Sequence, residues 1–399
     1  MKKKKLTEKI KYCTICESRK LKSIMNLNKF PLTGIFIKNK LNKNFNYYFN
    51  LKLNICKNCG HLQLENLVNP NLLYNNIYAN RTSESLLSDN AINFFKNFLF
   101  GILKNTKKKN LLEIGCNDTK FIKNIANNFN HIYGIDPIWI KKKQNLNKKK
   151  FTIIGNFVEK VSLLKIKRKI DAISSTHNLE HIKDPYKILK KFIDNVDDKT
   201  IFFIEVPDAD LMIKNQRFDQ IFHQHYHYFN YNSLKNLTNR LGCKIIGKKV
   251  NLKFWGGSLM IAFRKDHNVE KKINNNYEKI NYQINNKFKL FKKRFKKLNK
   301  LLISKNDLIG FGAGQMVPSV AYHLNKKLSF IKYFVDDNPN RANQKYPFIK
   351  GKIKKFNEKN FNKENKPEFL ITALDGAKSI SKKLKKLKFK FYNPITFNE

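Results

Sequence analysis

Four short apolar runs in the middle of the chain share one design, in which a buried strand ends at a glycine or at polar residues. These runs are residues 110–115, 131–135, 171–175 and 200–205. Residues 121–126, which follow the first run, take up a helical period. Strands that alternate with helices predict a doubly wound α/β sheet whose chemistry lies at the carboxyl ends of its strands.

The pattern changes on both sides of this region. Between Ile273 and Leu302 the apolar residues recur every three or four positions, which predicts one long amphipathic helix. We interpret it as an intramolecular spacer, with a partner-binding coiled coil as the alternative. Three further strands, at 307–311, 330–335 and 368–372, predict a second small α/β unit, and strands at 34–37 and 47–51 predict a small N-terminal sheet.

The fold class is therefore α/β, with a Rossmann-like sheet between two smaller parts. We place an N-terminal domain at 1–70, the central domain at 71–265, and the long helix with a C-terminal Rossmann-like domain at 266–399. A length of 399 residues is sufficient for three such units.

Charge is the most unusual property of the composition. Lys plus Arg is 80 and Asp plus Glu is 30, a formal net charge of +50. Lysine is spread over every segment, which indicates a compositional bias rather than a nucleic-acid surface, although the field favours an anionic small substrate. We expect no nucleic-acid partner and no membrane span, and a cytoplasmic protein that is a monomer or a weak homodimer.

Two CxxC pairs, Cys13 with Cys16 and Cys56 with Cys59, mark the N-terminal domain. Four thiolates in two knuckles make a tetrahedral zinc site with no open position, so the predicted Zn²⁺ is structural. In a reducing compartment such pairs hold metal more often than they form disulfides. Free cysteines and a nucleic-acid-binding zinc ribbon are the alternatives.

The first strand and turn of the central domain predict a cofactor site. Gly115 ends the strand that contains Glu113, and Asp136 ends the next strand, where a carboxylate can accept hydrogen bonds from ribose hydroxyls. Asn117 stands in place of a second glycine, which favours S-adenosylmethionine over a dinucleotide, since only the latter brings a pyrophosphate to the turn. His177 follows the third strand at the same edge of the sheet. An ordinary strand-to-helix connection is the alternative.

These motifs occur in an order that resembles the S-adenosylmethionine-dependent sugar C-methyltransferases, which methylate nucleotide-linked keto-deoxysugars. The resemblance extends over nearly the whole chain. Besides the two CxxC pairs and Tyr78, it rests on residues 113–118, 134–137, 179–185, 223–225, 228–229, 256–259, 310–314 and 335–339.

The resemblance implies a reaction in which a base removes the proton beside the sugar ketone and the enolate takes the methyl group. His225 occupies the position of the family's base, and imidazole suits this task because its pKa lies near neutrality. His181 and Tyr78 match residues near the reacting centre. The family block Tyr-His-Glu-His is altered here, with Phe222 at its first position and Gln224 at its third.

The resemblance also implies how the substrate is held. Gln224 is expected to orient the substrate or the base, and His223 to contact the substrate. Gly312 and Gly314, in the glycine-rich turn of the C-terminal unit, are expected to bind the nucleotide-sugar, since glycine N–H groups can approach an anion closely. The altered block leaves O- or N-methylation of another anionic sugar derivative as an alternative, and a basic zinc-ribbon protein that binds nucleic acid is the alternative from another class.

Overall fold

The computed structural model describes residues 6–38, 45–73, 82, 88–140, 147–163, 166–253, 256–324, 328–361 and 367–397. Tyr78 lies outside these residues, so its predicted catalytic role stays a prediction. Within the described ranges, no helix combines the length and the apolarity that crossing a bilayer requires.

The N-terminal part forms an antiparallel sheet in which β2, at the edge, and β3 are the two long strands. Alternating apolar residues of these strands, such as Leu51 and Leu53, are fully buried. The strand expected at 34–37 is not formed, and Ile37 makes only an isolated bridge to Lys345. The elements of this part are β1 (Thr7–Lys9), β2 (Leu21–Pro31), β3 (Tyr48–Cys56), β4 (Leu62–Leu64), β5 (Asn66–Val68) and α1 (Pro70–Leu73).

The central part is an eight-stranded sheet in the order β13-β14-β11-β10-β6-β7-β9-β8. The five strands from β11 to β9 run parallel, and β14 lies antiparallel between β11 and β13. Its strands are β6 (Asn110–Ile114), β7 (His131–Ile135), β8 (Asn147–Lys148), β9 (Phe151–Ile154), β10 (Ala172–Thr176), β11 (Ile201–Pro207), β13 (Cys243–Asn251) and β14 (Ser258–Lys265). The short β12 (His227–Tyr228) follows β11 in the chain but belongs to the N-terminal sheet.

Helices cover both faces of this sheet, as a doubly wound fold requires. Neighbouring residues of one strand enter different cores: Leu111 packs with the cluster that includes Phe95 of α2, and Leu112 packs with the cluster that includes Phe192 of α4. The helices are α2 (Ser88–Ile102), α3 (Lys120–Ile125), α4 (Pro185–Ile193), α5 (Ala209–Lys214) and α6 (Tyr231–Arg240).

The C-terminal part is a five-stranded parallel sheet in the order β17-β16-β15-β18-β19. This is the strand order of a Rossmann-like sheet. Successive strands are added on one side of β15 and then on the other, and such folds bind ligands at the point beside β15 where this change occurs. Its elements are β15 (Leu308–Phe311), α8 (Val317–His323), β16 (Ile331–Asp336), β17 (Ile353–Lys355), β18 (Phe369–Ile371), α9 (Ala377–Lys386) and β19 (Phe391–Tyr392).

The long helix α7 (Tyr277–Ile303) packs against more than one of these parts. Its apolar stripe, which includes Ile284 and Phe291, is buried in one hydrophobic cluster that also contains residues of the N-terminal and C-terminal sheets. The helix is therefore an intramolecular element, as expected. The parts are also joined by β12, which pairs with β4 and thus adds two residues of the histidine-rich segment to the N-terminal sheet.

Candidate active site

One cavity of about 560 Å³ is lined by both α/β sheets. On one side it is lined by Gly115 and Asp136 of the central sheet, and on the other by Gly312 and Gly314 of the C-terminal sheet. His225 lines the same cavity. Each sheet contributes the turn after its first strand, beside the point where the strand order reverses, which is the usual ligand position in such sheets.

The turn after β6 fits a closely approaching ligand. Gly115 has a φ of 80°, and a Cβ atom there would lie 2.5 Å from Cγ of Asn178. The carboxylate of Asp136 accepts hydrogen bonds from the backbone N–H of Asn117 at 2.8 Å and of Ile138 at 2.9 Å. Asp136 thus organises the turn and lines the cavity with its neighbours, at a position where a carboxylate can accept hydrogen bonds from ribose hydroxyls.

Glu113 lies at the floor of this turn and is only 1% exposed. Its carboxyl accepts hydrogen bonds from the hydroxyls of Ser174 and Thr176. Burial raises the pKa of Glu113 to about 8, against the lowering effect of those two hydroxyls, and Glu205 raises it further. The group is therefore mostly protonated at neutral pH.

His177 lies between two buried carboxylates. Its Nδ1 is 3.7 Å from Oε1 of Glu180, and its Nε2 is 3.6 Å from Oε1 of Glu205. Burial alone would lower the pKa of His177, but the two carboxylates outweigh it and raise the pKa to about 10. The imidazole is therefore a fixed cation at the carboxyl end of β10, and its φ of 46° shows that the backbone is held in the left-handed region there.

The two histidines expected near the reacting atoms are neighbours. The ring centroids of His181 and His225 are 4.9 Å apart, and Phe222 packs on His225 at 4.1 Å. Nδ1 of His181 lies 2.6 Å from the carbonyl oxygen of Gln224, to which it donates in the neutral ring, so that Nε2 is left as an acceptor. Burial lowers the pKa of His225 to about 3, which His181 assists and Glu180 opposes.

His223 and Gln224 do not reach the cavity, in contrast to the contacts expected for them. The amide of Gln224 is buried and bound at both ends to Thr33, since Nε2 donates to the Thr33 carbonyl at 2.8 Å and Oε1 accepts from its hydroxyl at 3.0 Å. His223 is fully buried between the rings of Phe30 and Phe49. Of residues 223–225, His225 lines the cavity, together with its neighbours Phe222 and Tyr226.

The turn after β15 repeats the design of the first turn. Gly312 has a φ of 94°, and a Cβ atom there would lie 2.3 Å from Cβ of Ala373, whereas Gly314 has ordinary space. Asp336, at the end of β16, accepts hydrogen bonds from the backbone N–H of Ala313 and of Asn338. The two turns thus place equivalent carboxylates, Asp136 and Asp336, on the same cavity.

The four cysteines of the N-terminal domain converge on one point. Sγ of Cys13 lies 3.6 Å from Sγ of Cys59, and Sγ of Cys16 lies 3.5 Å from Sγ of Cys56. All four sulfur atoms lie within 4.8 Å of one another. A tetrahedron with Zn–S bonds of about 2.3 Å needs sulfur separations of roughly 3.8 Å, so the set fits Zn²⁺ and offers no open position.

A buried polar chain connects this zinc knuckle to the active-site segment. The hydroxyl of Thr14 and Nε2 of His61 lie 3.5 and 3.2 Å from Nδ1 of His227. Nε2 of His227 in turn lies 3.0 Å from the carbonyl oxygen of Ile182. His61 therefore contacts another histidine and is not part of the sulfur set, and these contacts link the four-cysteine knuckle to the backbone that adjoins His181.

Sequence reasoning missed two contributors to the cavity. Phe157 and Val158, after β9, give the cavity an apolar wall suited to a purine ring. Their position directly after the third parallel strand is the sequence feature that could have pointed to them. Asp375, after β18, accepts a hydrogen bond at 2.7 Å from Arg217, which is buried and also paired with Asp219. No local pattern marks that contact, because its partners are 158 residues apart.

Comparison with known proteins agrees with this arrangement. Residues 88–248 match the family model described as "Methyltransferase domain", and residues 13–74 match the one described as "Putative zinc binding domain". The match, the sheet order and the turn geometry identify residues 88–248 as a class I methyltransferase domain, whose cofactor is S-adenosylmethionine. The four cysteines lie within the part that matches the putative zinc-binding domain, and their arrangement fits Zn²⁺.

Among individual proteins, the C-methyltransferase NovU of Streptomyces niveus is 21% identical over 245 residues. The match covers 59% of this chain and 56% of NovU, so it spans little more than half of that relative. The N-methyltransferase NodS from Bradyrhizobium japonicum, solved with S-adenosyl-L-homocysteine, is 11% identical over 45% of this chain and 88% of its own, with a TM-score of 0.36. Magnesium protoporphyrin IX methyltransferase from Synechocystis is 9% identical over 46% of this chain and 88% of its own, with a TM-score of 0.35. At such scores neither structure bears on this chain's chemistry.

Proposed function

We propose that this protein transfers a methyl group from S-adenosylmethionine to a carbon atom of a nucleotide-linked keto-sugar, with His225 as the base. The observation that carries the proposal is the single cavity that joins the cofactor turn, the His181–His225 pair and the second glycine turn. Such a cavity can hold two nucleotide-like molecules with their reactive ends near the imidazoles. NovU, a C-methyltransferase by name, supports methylation at carbon.

The C-terminal side of the cavity suits a nucleotide diphosphate. The left-handed Gly312 lets the backbone come close to a ligand, and Asp336 lies where a carboxylate can accept ribose hydroxyls. Arg341 lines the same wall and can pair with a phosphate. The net charge of +50 favours the approach of such an anion.

The chemistry follows from the two histidines. S-adenosylmethionine supplies an electrophilic methyl group when it is bound. His225 takes the proton from the carbon beside the ketone, and the depressed pKa of its ring keeps it unprotonated, and so able to accept, at neutral pH. His181 is the next candidate for the base, since Nε2 of its neutral ring is also an acceptor. Tyr78 is proposed to hydrogen-bond the enolate oxygen.

The test is exchange of the substrate's α-proton in deuterated water, with S-adenosylhomocysteine bound and a panel of nucleotide-linked keto-deoxysugars. Wild type should introduce deuterium at that carbon, and His225→Asn should lower the rate roughly 10²–10⁴-fold while both ligands still bind. Exchange that survives in His225→Asn and disappears in His181→Asn would move the base to His181. No exchange in wild type, with methyl transfer to oxygen or nitrogen, would reject the carbon reaction.

A further inference from the structure

Glu180 is a buried carboxylate that the sequence motifs leave without a role. It lies in the 3₁₀ turn after β10 and is 1% exposed. Among the described residues, neither of its carboxylate oxygens has a hydrogen-bond partner. A buried charge of this kind is costly unless neighbouring charges compensate it, so its surroundings should explain why it is retained.

Three imidazoles surround this carboxylate. Oε1 of Glu180 lies 3.7 Å from Nδ1 of His177, 3.8 Å from Nε2 of His181 and 4.0 Å from Nε2 of His225. Burial alone would raise the pKa of Glu180, but the imidazoles outweigh it, His177 first, and lower the pKa to about 2. The group is therefore a permanent anion at the point where the active-site histidines meet.

Among the described residues, Glu180 is the carboxylate that pairs with a ring nitrogen of His225. The sequence neighbour of His225, Gln224, is an uncharged amide whose two ends are both bound to Thr33. Glu205 contacts His177 from the other side and accepts a hydrogen bond from Ser258. Of the described groups that act electrostatically on His225, Glu180 is the one that raises its pKa.

We propose that Glu180 is the positioning residue for the base: it orients Nε2 of His225 and stabilises the imidazolium that forms when this ring takes a proton. The proposal rests on the proposed function. With Nε2 turned towards Glu180, Nδ1 is the nitrogen left for the substrate. Other imidazole bases are arranged in the same way: a buried carboxylate orients the ring and stabilises its charged form without itself taking the proton.

The proton and electron balance is complete with the named groups. The C–H bond beside the ketone breaks, its proton goes to Nδ1 of His225, and its electron pair stays on the substrate as an enolate. The enolate carbon then forms the new C–C bond as the S–CH₃ bond of S-adenosylmethionine breaks and its electron pair stays on sulfur. The imidazolium finally loses its proton to water, which restores the neutral ring beside the Glu180 anion.

The test compares Glu180→Gln, which keeps the shape and removes the charge, with Glu180→Asp, which changes the shape and keeps the charge. Turnover and α-proton exchange should fall about 10²-fold in Glu180→Gln, the lower end of what a general base contributes. The KM for S-adenosylmethionine and the affinity for S-adenosylhomocysteine should change by less than about threefold, because the substitution does not remove a contact that binds the cofactor in its ground state. Glu180→Asp should stay within about tenfold of wild type.

Equal losses in the two variants would overturn the proposal, because shape and not charge would then matter. Unchanged exchange in Glu180→Gln would overturn it as well, whereas absent exchange in wild type would reject the carbon reaction itself. Glu180, His181 and His225 also lie close enough to share a metal ion. Metal analysis that finds a second bound ion in wild type, absent from Glu180→Gln, would make these side chains ligands and so contradict their assignment as base and positioning residue.

Discussion

Replacement of Gly115 by alanine tests the cofactor turn, because the structure gives two separate costs for it. The first is conformational: at a φ of 80° an alanine pays roughly 1–2 kcal/mol for the left-handed backbone. The second is steric, since the new Cβ would lie 2.5–2.7 Å from three atoms of Asn178, and overpacking of this kind costs about 1–3 kcal/mol. Gly115→Ala should therefore lower the free energy of unfolding by about 2–5 kcal/mol.

Gly242→Ala is the matched control. Gly242 has a φ of 67°, and a Cβ atom there would meet nothing within 4 Å, so this variant carries the backbone cost alone, about 1–2 kcal/mol. Gly242 is also absent from the cavity wall. The difference between the two variants measures the crowding against Asn178, which lines the cavity.

The assay is urea unfolding with and without S-adenosylhomocysteine. At a ligand concentration of 100 times the wild-type Kd, wild type and Gly242→Ala should gain about 2.7 kcal/mol of stability. If the crowded turn weakens binding tenfold, Gly115→Ala should gain only about 1.4 kcal/mol. Equal destabilisation of the two variants together with an equal gain from the ligand would refute the placement of the cofactor at Gly115.

Three further outcomes follow from other parts of the structure. Metal analysis should find one zinc per chain, and Cys56→Ser should lose the metal and unfold the N-terminal domain, since structural zinc supplies folding energy; full zinc in that variant would contradict the four-cysteine site. Gln224→Glu should destabilise the fold by about 1–3 kcal/mol in urea unfolding, because a carboxylate would face the Thr33 carbonyl that the amide now binds, and unchanged stability would count against that contact. Burial raises the pKa of Glu113 to about 8, so the native state holds a proton that the unfolded state loses near pH 4.3. The free energy of unfolding should therefore fall as pH rises from about 5 to 8. Glu113→Gln should flatten that fall, and an unchanged pH profile would contradict the raised pKa.

Much of the fold could be predicted from local patterns. The run at 131–135 coincides with β7, and the helix expected over 273–302 is observed as Tyr277–Ile303, because burial on one face leaves a clear period in each. The strand expected at 34–37 does not form, because strand pairing depends on residues far apart in the chain. β3 pairs with Leu21–Pro31, and Thr33, directly before the expected strand, is hydrogen-bonded to Gln224.

The candidate site could be predicted only in part. The two turns were visible, because each combines a glycine with a carboxylate at the end of the next strand. The sequence could not show which residues of the histidine-rich segment face the cavity, and the structure selects His225 and turns His223 and Gln224 away. Glu180 was hidden for the same reason, since its importance depends on three imidazoles that only the tertiary fold brings together.

The central claim is methyl transfer to carbon, and the atom that receives the methyl group tests it most directly. The purified protein is incubated with S-adenosylmethionine labelled with ¹³C in its methyl group and with nucleotide-linked keto-deoxysugars that carry thymidine, uridine or guanosine diphosphate. The product is then examined by ¹³C nuclear magnetic resonance. The labelled carbon should show one-bond coupling to a sugar-ring carbon in an experiment with ring-labelled substrate, in wild type and not in His225→Asn. A labelled methyl group bound to oxygen or nitrogen, with no such coupling, would contradict the account.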